Sequence, residues 1–148
     1  MPVLALFLLT SCNSGGCYES TSVKVYCTLH SLLQNKDVKM DSISVWGAGS
    51  DSLVYNNESL SELELDLNPN AQETKYVVQI KTDGNLYKDT LSLKHTNQPW
   101  FQSMECGCMV FSTLDTCLTT GTIFQSANIV NHQVNNQQTE NVVLNFNE

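Results

Sequence analysis

Tyr76-Val77-Val78-Gln79-Ile80-Lys81-Thr82-Asp83-Gly84-Asn85-Leu86-Tyr87-Lys88-Asp89-Thr90-Leu91-Ser92-Leu93-Lys94 reads as two β-type runs joined at Asp83-Gly84. Tyr76 to Lys81 and Leu86 to Lys94 are the two runs, flanking Thr82-Asp83-Gly84-Asn85. Short runs of this kind bounded by turn residues predict strands rather than helix. Asp-Gly between such runs is a strong hairpin signal, because both residues tolerate the positive φ that a two-residue turn needs to match strand twist.

The same pattern extends in both directions. Upstream, Leu63, Leu65 and Leu67 alternate with Glu62, Glu64 and Asp66, which predicts a strand with leucines inward and an acidic row on the solvent face. Before it, Val23, Val25, Cys27 and Leu29 form another alternating run. Ile43 to Trp46 and Ser52 to Tyr55 flank Gly47-Ala48-Gly49-Ser50-Asp51. That glycine-rich piece has no lysine after it and leads into a strand, so it reads as a hairpin connection and not a phosphate loop. Asn68-Pro69-Asn70 breaks the chain. Downstream, Trp100 to Met104, Cys108 to Leu114, Thr122 to Val130 and Asn141 to Phe146 are further strands, with the Asn- and Gln-rich tract 128–138 as a long hairpin or a loop. No long helical periodicity and no internal repeat occurs. The expected fold is all-β, an antiparallel β-sandwich (immunoglobulin-like or similar) of about seven to nine short strands.

The first residues read differently. Val3 to Leu9 is an unbroken apolar run followed by Thr10-Ser11-Cys12, the pattern of a bacterial lipoprotein signal. The run falls well short of the roughly 20 residues that span a bilayer, so it fits the apolar core of a cleaved signal peptide. Residues 1–11 are therefore expected to be signal peptide, Cys12 the lipid attachment site, 12–17 anchor and flexible tether, and 18–148 a single β-sandwich domain. A signal peptide ordinarily opens with Lys or Arg, and Met1-Pro2 supplies neither, so the true start is expected upstream. Asn13, in place of the Asp that retains lipoproteins at the inner membrane, predicts the outer membrane. A tether without an acidic cluster predicts a domain facing the periplasm.

Charge narrows the partners. Seven lysines, no arginine and fifteen acids give a net charge of -8. Without arginine the chain lacks the bidentate fork of most phosphate and nucleic-acid sites, and its lysines are scattered, so nucleic acid is not an expected partner. Six cysteines in an exported chain point to disulfides before metal. With Cys12 lipidated, Cys17, Cys27, Cys106, Cys108 and Cys117 remain, and spacing alone leaves their connectivity open. Cys106-Gly107-Cys108 is C-x-C, not the C-x-x-C of redox motifs and zinc knuckles.

Little catalytic chemistry is legible. His30, His95 and His132 lie far apart in sequence, and no G-x-S-x-G or H-E-x-x-H occurs. The acidic row could hold Ca²⁺, but its spacing is not that of an EF-hand, and a solvated strand face is the better reading. Trp46, Trp100 and Phe101 could form a sugar-stacking platform, with core or corner packing the stronger alternative. No cofactor and no metal are expected.

His95-Thr96-Asn97-Gln98-Pro99-Trp100-Phe101, running into Glu105-Cys106-Gly107-Cys108-Met109-Val110-Phe111, together with Cys17-Tyr18-Glu19 and Asp89 to Leu93, resembles a family of small Bacteroidales lipoproteins catalogued only as a domain of unknown function. The resemblance covers residues 12–148 and implies a β-sandwich without an established activity. It also suggests a Cys17–Cys106 disulfide; Cys27–Cys108 is a second expected bridge, with Cys117 left free. That family often has His where Ser112 stands, so any role of that imidazole is absent here. Asp41-Ser42-Ile43, Asp51-Ser52-Leu53 and Asp89-Thr90-Leu91 are similar to the O-glycosylation acceptor of that bacterial group, making Ser42, Ser52 and Thr90 candidates. The expected function is that of a lipid-anchored, non-enzymatic binding or structural accessory of the cell envelope. The alternative is a carbohydrate-binding or glycan-processing accessory of an outer-membrane uptake system.

Overall fold

Alternation of apolar and polar residues builds eleven strands in a computed structural model that describes residues 16–147. They are β1 (Val25–Ser31), β2 (Lys36–Asp37), β3 (Met40–Gly47), β4 (Leu53–Leu60), β5 (Glu62–Leu65), β6 (Glu73–Thr82), β7 (Asn85–Ser103), β8 (Gly107–Thr119), β9 (Phe124–Ile129), β10 (Gln133–Val134) and β11 (Glu140–Phe146). The described residues contain no helix. One sheet runs β2-β1-β11-β9, with β5 also paired to β1; the other runs β10-β8-β7-β6-β3-β4. All pairings are antiparallel except β1 with β11, which run parallel, Cys27 beside Val142 and Leu29 beside Leu144. The result is a two-sheet β-sandwich, as expected, with more strands because β2 and β10 are bridges of two residues each.

The core lies between the sheets. Val25, Cys27 and Leu29 of β1, Leu63 and Leu65 of β5, and Val142, Leu144 and Phe146 of β11 face Ile43 and Val45 of β3, Val78 of β6, and Leu91 and Leu93 of β7. Each set is spaced by two, so strand geometry alone delivers these side chains to one face.

The hairpin turn forms as the sequence predicts. Asp83 (φ 49°) and Gly84 (φ 79°) are both left-handed, the requirement of a type I′ turn, and Thr82 pairs with Asn85 across it. Gly47 to Asp51 joins β3 to β4, closed by the Ser50 amide donating to the Gly47 carbonyl at 3.0 Å. Asn68-Pro69-Asn70 is a turn in which the Asn70 amide donates to Asn68 Oδ1 at 2.9 Å.

Several boundaries differ, β4 running on to Leu60 and β8 to Thr119, beyond the expected Tyr55 and Leu114. Leu86 to Lys94 and Trp100 to Ser103, expected as parts of separate strands, belong to the single 19-residue β7, which continues through Pro99 and leaves Met104 in the turn. Pairing with β6 ends at Lys94, whereas β8 accompanies β7 to Ser103. Beyond His95, whose amide donates to the Gln72 carbonyl, the β6-side edge of β7 has no strand partner, and an edge strand tolerates a residue with no N–H. From Gln98 to Phe111 the β7–β8 hairpin is therefore a two-stranded arm extending past the sandwich.

Candidate functional site

The arm carries the most concentrated set of exposed apolar side chains. Trp100 and Phe101 are adjacent on β7, so they point to opposite faces. Trp100 sits opposite Met109 and stacks on Phe111, with ring centroids 5.3 Å apart and planes 16° apart. Its indole Nε1 donates to Gln102 Oε1 at 3.0 Å. Phe101 sits opposite Cys108 on the other face. Beyond them Met104, in the turn, is 86% exposed.

Cys17 and Cys106 are joined in a disulfide, with Cα atoms 4.8 Å apart. This bridge, expected from the family resemblance, fastens the start of the described chain to the turn of the arm. Gln102 Nε2 donates to Glu19 Oε2 alongside it, a second link between the two segments. Tyr18, between Cys17 and Glu19, is 93% exposed.

The second expected bridge is not formed. Cys27 is buried on the core face of β1 and Cys108 is exposed on the arm, so the two lie in different environments. The C-x-C spacing does put Cys106 and Cys108 near each other, but β1 lies within the sandwich, and the arm extends beyond it. Cys117 is free, as expected, and buried. Burial pushes the Cys117 thiol up to about 12. Burial likewise raises Cys27 well above its ordinary value, and the proximity of Cys117 adds to the rise. Both are protonated, unreactive core residues. Cys12 lies outside the described residues, as do 1–11 and the tether as far as residue 15.

The histidines are held by local hydrogen bonds. His95 is fully buried at the base of the arm, its Nε2 2.9 Å from Thr74 Oγ1 and its Nδ1 2.7 Å from Asn97 Oδ1. Asn97 donates through Nδ2 to the Asn68 and Ala71 carbonyls, and its Oδ1 also accepts from Ser112 Oγ at 2.8 Å. Ser112 thus reaches His95 only through Asn97. The network clamps the 68–74 loop onto the point where β7 leaves β6. Neither the separated histidines nor the lone Asn97 signalled it, because the contacts to Asn68, Ala71 and Thr74 join residues more than 20 positions apart. His30 Nδ1 lies 2.8 Å from Asp37 Oδ1, and His132 Nδ1 contacts the Leu114 carbonyl.

The aromatic platform is not assembled. Trp46 of β3 lies beside Val77 of β6, which lies beside Thr90 of β7, ten residues along that strand from Trp100. At about 3.3 Å per residue the two rings stand roughly 30 Å apart along the sheet. Trp46 instead receives the Lys88 ammonium 5.5 Å from its ring centre.

The acidic row is a solvent-facing edge. Leu63 and Leu65 are buried, as the alternation requires, while Glu64 and Asp66 are exposed. Burial raises the Glu62 carboxyl above its ordinary value, and the Glu64 and Glu140 charges add to the rise. Among the described residues no group of three His, Cys, Asp or Glu side chains is placed to hold a metal ion.

The three acceptor tripeptides fall in different settings. Ser52 is exposed at the start of β4, whereas Ser42 is half-buried with a left-handed φ of 55° in an irregular stretch of β3. Thr90 lies mid-strand between β6 and β8, with its amide donating to Thr120 Oγ1. Its neighbour Asp89 is buried and acts on another loop. Asp89 Oδ1 accepts from Thr120 Oγ1 and the Gly121 amide, and Oδ2 accepts from the Ile123 and Phe124 amides at 3.0 Å each. The carboxylate so fixes the crossing from β8 to β9.

No curated protein and no solved structure matches the chain. A family model does match, over residues 42–146, a span that takes in β3 to β11 with the arm, the Asp89 loop clamp and the His95 network. The chain belongs to DUF6452, a family of unknown function.

Proposed function

We propose that this protein is a lipid-anchored β-sandwich of the cell envelope, held through Cys12 in the outer membrane, facing the periplasm and serving as a non-enzymatic binding or structural accessory. The apolar run ending in Thr10-Ser11-Cys12 carries the reading. The Cys17–Cys106 disulfide agrees with it, because such bonds persist in exported proteins and are rare in reducing compartments. The engagement of His30, His95 and His132 in local contacts favours a structural over a catalytic role for each. On this reading the chain is one of the small Bacteroidales lipoproteins it resembles, and exposed Ser52 is the best placed of the three O-glycan acceptors.

Fractionation of separated inner and outer membranes tests the anchor. The native protein is expected in the outer-membrane fraction, and Cys12→Ser is expected to leave it or to retain the uncleaved signal peptide. A Cys12→Ser protein of mature length that fractionates like the native one overturns the assignment.

A further inference from the structure

The turn of the β7–β8 arm is exposed, apolar on both faces and covalently tied to the N-terminal segment. We propose that this turn is a second membrane contact: Trp100, Phe101, Met104 and Tyr18 enter the headgroup region of the bilayer that holds Cys12. The inference rests on the lipid-anchor reading and adds an orientation to it.

Reach decides the geometry. Cys17 lies five positions after Cys12, and a fully extended chain covers at most about 3.6 Å per position, about 18 Å in all. The disulfide, with its Cα atoms 4.8 Å apart, therefore holds Cys106 in the turn within about 23 Å of a lipidated Cys12, whatever path the tether takes. Without the bridge, the arm could lie anywhere the sandwich swung it.

Composition decides the occupant. Met104 is 86% exposed, Phe101 58%, Trp100 46% and Tyr18 93%, in a turn and in the segment bonded to it. A protein partner recognised by the arm would ordinarily cover one face of the hairpin, yet Trp100 and Phe101 lie on opposite faces. A bilayer surrounds an inserted turn on all sides and accepts both. Trp and Tyr also favour the interface, where an apolar ring and a polar N–H or O–H meet different surroundings. The sequence has no lysine after Lys94 and none before Lys24, so attraction to anionic lipid contributes nothing. Glu19 and Glu105 leave the turn acidic, which favours a zwitterionic surface.

Fluorescence on the full lipidated protein tests this. In Trp46→Phe, Trp100 is the sole tryptophan; in Trp100→Phe, Trp46 remains, on the sheet away from the arm. Each is reconstituted into phosphatidylcholine vesicles whose acyl chains carry bromine near the headgroup, and flotation reads anchoring independently. Flotation with Trp100 emission quenched at least twofold more than that of Trp46 supports the proposal. In the Trp46→Phe background, Phe101→Asp with Met104→Asp is expected to leave flotation intact and abolish the excess quenching. Flotation with equal quenching of the two tryptophans overturns the membrane contact and leaves the anchor standing. Absence of flotation overturns the anchor, and the contact with it. Trp100 emission that shifts with protein density in unbrominated vesicles, without excess quenching in brominated ones, assigns the arm to a second copy of the chain and also overturns the proposal.

Discussion

Asp89 shows how one side chain can set a crossing between sheets. Burial alone would raise its carboxyl, but hydrogen bonds from Thr120 and from the Phe124, Thr119 and Ile123 groups outweigh it and hold the group below its ordinary value. Stability supplied by a depressed carboxyl is present above its unfolded value of about 3.9 and is lost as pH falls through the lower folded value. Asp89→Asn keeps the shape but replaces an acceptor oxygen with a donor facing backbone N–H groups. It is expected to cost about 1–3 kcal/mol at neutral pH. Urea titrations of both proteins should show the full gap above about pH 4 and a narrowing gap below it as the native carboxyl protonates. An equal midpoint at pH 7 would mean that these hydrogen bonds add nothing net. From sequence, Asp89 was legible only as part of an acceptor tripeptide, because its partners lie more than 30 positions away.

At the level of elements, alternation was a sound guide to faces and a poor one to lengths. Leu63 and Leu65 point inward as expected, and Asp83-Gly84 turns as expected, since both signals are local. The continuation of β7 through Asn97-Gln98-Pro99 was hidden, because residues that ordinarily break a strand are tolerated where only one neighbour remains. That single neighbour leaves the arm dependent on its covalent tie. In the chain-entropy model, a bridge between residues 89 apart stabilises by about 4–5 kcal/mol, with native strain and residual unfolded-state structure lowering the figure. Cys17→Ser with Cys106→Ser is expected to lower the melting temperature. Amide exchange should quicken in 98–111 more than in β6 or β11. Uniform acceleration across all strands would show the bridge acting on the global equilibrium alone.

For the whole molecule, the pairing of β1 with β11 governs what can be removed. Alternation gave the inward face of β1 but not its partnership with β11, since nothing in a period of two specifies which strand lies alongside. Val142, Leu144 and Phe146 fill the core between β1 and β9, and Asn141 Oδ1 accepts from the Tyr26 amide at 3.1 Å. Burying three such side chains contributes about 1.5–3 kcal/mol each, a sum comparable to the 5–15 kcal/mol of a whole domain. A protein ending at Thr139 is therefore expected to be unfolded, with near-random circular dichroism and rapid proteolysis. Persistence of a cooperative thermal transition would show that the remaining strands close the sheet by themselves.

The same pairing bears on timing. Tyr26 meets Asn141 across 115 residues of chain, so β1 gains β11 long after its other neighbours, β2 and β5, are available. Contacts of such separation also form slowly. A chain growing from its N-terminus therefore has every other strand of this sheet before it has β11, the one that joins β1 to β9.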